Sequence, residues 1–123
     1  MDSVAVLIVH QEEERRRAAR AVVSATPEFD TVGEAATAEE ALELAVALGP
    51  RLVLVGTGMP GIDGFEASQR LKAALPESRV VLLYASAKPD ADALARSQAA
   101  AAMHVDELTP GSLRALGEGL QSG

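Results

Sequence analysis

The chain has 123 residues, 48% of them hydrophobic but only 2% aromatic, no cysteine, and a net charge of −7. That length suits a single domain, expected here over 1–123, with an aliphatic core. The acid excess argues against direct nucleic-acid binding by this segment, and the lack of cysteine excludes disulfides, thiolate metal sites and cysteine catalysis. No apolar run reaches the ~18 residues of a membrane span or forms a secretion signal, so no membrane contact and a cytoplasmic location are expected.

Val4–Val9 is a continuous apolar run rich in β-branched residues, the pattern of a strand buried on both faces. A helix follows from Glu12, its early acids and the arginines Arg15, Arg16 and Arg17 suiting the helix dipole and a solvated face. Thr31–Ala35 reads as a short second strand. Thr37 and Glu40 form a capping box for a helix that Gly49-Pro50 ends. Leu52–Val55 is the central buried strand. It runs into a Gly/Pro turn, and Asp63 with Glu66 caps a helix from Gly64 to Leu75.

Arg79–Tyr84 is a fourth strand, and Ala91–Ala99 a helix with little beyond Leu94 to anchor it. Residues 101–105 favour helix by propensity, but the alternation of strand and helix predicts a fifth strand there. Thr109 and Pro110 open a last helix, with Leu113, Leu116 and Leu120 at helical spacing. The expected fold is α/β: a doubly wound sheet of five parallel strands in flavodoxin-like order 2-1-3-4-5, with five helices.

Met59-Pro60-Gly61-Ile62-Asp63-Gly64, after the central strand, resembles the third-strand loop of response-regulator receiver domains. Val32-Gly33-Glu34-Ala35, Glu39-Glu40-Ala41-Leu42 and Arg79–Leu83 resemble the receivers of LuxR-type regulators. The resemblance spans about Val4 to Leu120. It implies a phosphate-accepting module in which two acids and an aspartate hold magnesium, the aspartate attacks the phosphoryl group, and a hydroxyl and a lysine contact that group.

Carried over by position, the acid pair falls on His10 and Gln11, the nucleophile on Gly56, the hydroxyl on Tyr84, the lysine on Asp106 and the switch aromatic on Met103. All of these depart from the pattern. Glu12 stays acidic, but it falls outside the primary ligands, and Gly58 offers one backbone carbonyl, which does not bind magnesium alone. The expectation is a receiver-like fold without phosphoryl chemistry, metal or other cofactor.

Each residue also has a plainer reading. His10 is a partly solvated strand-end residue or a pH-sensing group. His104 lies on the fifth strand's edge without a role. Asp106 is a solvent-facing carboxylate or a partner for His10, and the Tyr84 ring is a candidate to fill the space at Gly56.

Two functions are expected. One is a phosphorylation-independent signalling module that binds a protein partner or forms a homodimer through the fourth helix, fifth strand and fifth helix, the alanines Ala95, Ala99 and Ala100 permitting close approach. Its output would be control of transcription by a DNA-binding domain past Gly123. The alternative is a small-molecule sensor whose ligand sits among His10, Gln11, Gly56, Thr57, Tyr84 and Asp106. No catalytic pairing, nucleophile elbow or phosphate loop points to an enzyme.

Overall fold

The computed structural model describes residues 3–59 and 61–120. Five strands alternate with five α-helices: β1 (Val4–Val9), α1 (Glu13–Ser24), β2 (Phe29–Ala35), α2 (Ala38–Leu48), β3 (Leu52–Gly56), α3 (Gly64–Ala74), β4 (Arg79–Tyr84), α4 (Ala91–Ser97), β5 (Ala101–His104) and α5 (Pro110–Leu116), with a 3₁₀ turn at Val105–Glu107. The strands form one parallel sheet in the order β2-β1-β3-β4-β5. This is the expected doubly wound order.

The central strands are apolar throughout because both their faces are covered. Val4, Val6, Ile8, Leu52, Leu54, Val81 and Leu83 face α1 and α5. Leu7, Val9, Val53, Val55, Val80 and Leu82 face α2 and α3. Leu52 to Val55 are fully buried, and full burial contributes about 1.5–3 kcal/mol per such side chain.

Several boundaries differ from expectation, each for a local reason. β2 starts at Phe29, whose buried ring lies where a side chain on Gly117 would stand. β1 pairs Val6 with Thr31 and Leu7 with Gly33, so the register shift leaves Val32 turned out to solvent. α4 stops at Ser97, where Gln98 turns left-handed at φ 62°. β5 covers residues 101–104, because pairing with β4 outweighs the helical bias of its alanines; Val105 joins the 3₁₀ turn. Leu120 is buried but lies past the end of α5.

The caps are also partly rearranged. Thr37 accepts the Glu40 amide as expected, but the Glu40 carboxylate takes the Ala36 amide. Asp63 accepts the Glu66 amide, while Glu66 turns to Arg70. Within the Met-Pro-Gly motif, Pro60 lies outside the described residues.

Candidate functional site

The sheet reverses its winding between β1 and β3, and the carboxyl ends of those strands are where this fold class places its sites. Val9 pairs with Val55 in register. The next residues on the two strands, His10 and Gly56, therefore meet at the sheet's edge.

The ring of His10 covers Gly56. A Cβ built on Gly56 would collide with His10 Cδ2 and lie 3.0 Å from Nε2 and 3.1 Å from Cγ. His10 Nδ1 accepts the Glu12 amide at 3.0 Å, which places the proton of the neutral ring on Nε2. Half-burial holds the pKa of His10 below its ordinary value of 6.5; Arg15 and Arg16 push the same way and Glu12 opposes them. At neutral pH the ring is uncharged.

The space above Gly56 is thus filled by His10, not by Tyr84. Tyr84 packs edge-on against His104, ring centroids 5.6 Å apart and planes at 88°. His104 has a structural role that the sequence did not reveal. Its Nδ1 accepts the Asp106 amide at 3.0 Å, its Nε2 lies 3.0 Å from the Ala85 carbonyl, and Glu107 takes its amide, so it caps the 3₁₀ turn.

Asp106 does not pair with His10. Its carboxylate lies 4.0 Å from Arg15 and 3.7 Å from His104. Met103 points to the sheet face shared by α1 and α5 and packs against that core. The amide of Thr57 donates to the Leu83 carbonyl, and its own carbonyl receives the Gly64 amide at 3.5 Å. Gly64 permits this approach, since a Cβ there would run into the backbone of Gly56 and Thr57.

Gln11 Nε2 donates to the Gly58 carbonyl at 3.1 Å. This ties the loop after β1 to the loop after β3. Arg16, expected on a solvated face, turns under the first loop. Its guanidinium donates to the carbonyls of His10 at 2.7 Å and Gln11 at 3.3 Å and pairs with Glu34 at 3.5 Å. Arg17 does stay on the helix surface, paired with Glu13.

A cavity of about 90 Å³ lies beside this cluster, between α1 and the turn after β5. Of the six residues expected to bound a ligand pocket, His10 and Asp106 line it; Gln11, Gly56, Thr57 and Tyr84 do not.

A family model, the response regulator receiver domain, matches residues 6–106. The chain belongs to that family. Among curated relatives, the receiver is 31% identical over 80 residues to the transcriptional regulatory protein LiaR of Bacillus subtilis, 65% of this chain and 38% of that protein. It is 31% identical over 81 residues to the nitrate/nitrite response regulator NarL of Escherichia coli, 66% of this chain and 38% of that protein. A protein-glutamate methylesterase/protein-glutamine glutaminase of Myxococcus xanthus is 37% identical over 81 residues, 66% of this chain but 23% of that protein. The receiver therefore aligns with well under half the length of these relatives.

Solved receivers superpose closely. The response regulator domain of Thermotoga maritima CheB gives a TM-score of 0.84 at 21% identity, covering 96% of both chains. The receiver domain of a NarL response regulator from Mycobacterium tuberculosis gives 0.79 at 25% identity, covering 96% of this chain and 99% of that one.

The side chains at this receiver's site do not fit a magnesium ion. Magnesium needs several hard oxygen donors in octahedral array. His10 and Gln11 present a ring nitrogen and an amide, Gly56 presents nothing, and the Gly58 carbonyl already accepts from Gln11. Among the described residues, no three His, Asp or Glu side chains gather as a metal site would require.

Proposed function

We propose that this receiver domain signals without accepting a phosphoryl group, by contact with a protein partner or with a second copy of itself. The observation that carries this reading is the His10 ring set against Gly56, where a phosphoacceptor's carboxylate would have to stand. The Gln11 amide supports it: it ties the two loops together through a neutral hydrogen bond to the Gly58 carbonyl. With no side chain at Gly56 to act as nucleophile and, among the described residues, no cluster of metal-binding side chains, the domain is read as a non-enzymatic module.

The contact surface proposed is α4, β5 and α5. β5 is one of the two edge strands of the sheet, and the exposed Ala95 and Ala100 leave the surface beside it shallow. LiaR and NarL are named as a transcriptional regulator and a response regulator, and the receiver aligns with only 38% of each. We read control of transcription, through a separate DNA-binding domain, as the output; the methylesterase relatives show that receivers also join other outputs. Ligand sensing directly above Gly56 is the weaker reading, because the His10 ring occupies that space.

Sedimentation equilibrium of the domain with and without acetyl phosphate and magnesium tests this. The reading expects a self-association constant that the phosphodonor does not change and that Ala95→Glu weakens. A dimer that appears only with the phosphodonor would contradict it.

A further inference from the structure

The α1 side of the sheet is not packed solid near the site. Ala18 and Ala19 of α1 are too small to fill the space over Ile8 and Leu83, and Val22 and Val105 close its sides. The resulting cavity of about 90 Å³ is lined mainly by aliphatic side chains, with the His10 ring at one side. It is far larger than a single water requires, and smaller than the ~150 Å³ cavity that takes up benzene. It suits a branched side chain of about three or four carbons.

Its rim carries one charge of each sign. Arg15 Nη1 stands 4.0 Å from Asp106 Oδ1, with the two side chains 39% and 81% exposed. Arg15 Nε is 3.8 Å from Glu12. Exposed pairs at such distances contribute little, so both charges are free to exchange partners. A short carboxylic acid would satisfy Arg15 but face the Asp106 carboxylate. An aliphatic amine would satisfy Asp106 but face Arg15. A zwitterion answers both.

We propose that this cavity binds a small aliphatic α-amino acid of the valine or leucine class. The side chain enters between α1 and the turn after β5, the α-carboxylate meets Arg15, and the α-ammonium meets Asp106. Such a ligand would bridge α1 to the turn that follows β5. The site does not depend on whether phosphoryl transfer occurs, so the two readings fail separately.

Titrating ¹⁵N-labelled domain with L-valine and L-leucine tests the assignment, with isovalerate and isoamylamine as the single-charge probes. Saturable shifts at Ala18, Ala19, Val22 and Val105 are expected with the amino acids and much weaker ones with either single-charge probe. Arg15→Gln and Asp106→Asn should each weaken binding about tenfold, the order of a lost charged hydrogen bond. Ala18→Leu, on a helix surface that tolerates leucine, should abolish it while the spectrum stays folded. No saturable shift at about 10 mM amino acid, far above the millimolar affinity that a few such contacts should give, would overturn the proposal. So would isovalerate or isoamylamine binding as tightly as L-leucine, or an unchanged affinity in both charge variants.

Discussion

At the scale of single residues, His10 and Gly56 form one complementary unit: a ring on one strand end and no side chain on the next. A methyl group on Gly56 must displace the ring. Gly56→Ala should therefore destabilise by about 1–3 kcal/mol in urea unfolding, the usual cost of overpacking. In a double-mutant cycle with His10→Ala, the cost at Gly56 should largely vanish; strict additivity would show that the ring does not press on Gly56. The imidazole also makes stability depend on pH. The folded-state pKa of His10 lies below its unfolded value of 6.5, so as pH falls below that value the unfolded chain takes up the proton first. The contribution of His10 to stability is full above 6.5 and is lost on going down through the folded pKa. Thermal unfolding between about pH 7.5 and 5.5 should show a fall in Tm that is smaller in His10→Asn, whose side-chain oxygen can still accept the Glu12 amide. Equal falls in both proteins would assign the dependence elsewhere. The identities at positions 10 and 56 were legible in the sequence, but their contact was not: it follows from the Val9–Val55 register, which pairs residues far apart in the chain. Tyr84 looked a suitable filler because nothing local revealed that His104 would claim its ring.

At the scale of elements, the loop after β1 is held by long-range polar contacts. Arg16 binds two of its carbonyls and Glu34 at once. Arg16→Ala should cost about 1–3 kcal/mol, since those carbonyls and the half-buried Glu34 lose a charged donor. Arg16→Lys should recover only part of that, because an ammonium cannot span the same set of acceptors. An unchanged urea midpoint in Arg16→Ala would place this residue on the solvated face that the run of arginines suggested. Gly64→Ala tests the other loop. Its new Cβ would press on the backbone of Gly56 and Thr57, and a loss of about 1–3 kcal/mol is expected despite alanine's better helix propensity. A gain in stability would mean that α3 is free to shift. The strands and most helix starts could be read from apolar runs and from caps such as Thr37, Asp63 and Thr109, which act within a few residues. β5 could not be read from propensity, because pairing with β4 sets its conformation.

At the scale of the whole molecule, the fold is that of a response regulator receiver domain, and the sheet order and carboxyl-edge site follow from it. The proposed function rests on the content of that edge. On that proposal, the His10 ring, the Gln11 amide and the backbone of Gly56 take the places of the acids that would hold a cation. Gln11 ties the two loops by a hydrogen bond to the Gly58 carbonyl, and Gly56 has no side chain to offer a phosphoryl group. We propose that such a domain transmits information through surface contact or through a ligand in the neighbouring cavity. The most direct test is the intact mass of the purified domain after incubation with acetyl phosphate and magnesium. The unmodified mass alone is expected, whereas a phosphoryl adduct mapped to the loop after β1 or the loop after β3 would contradict the account.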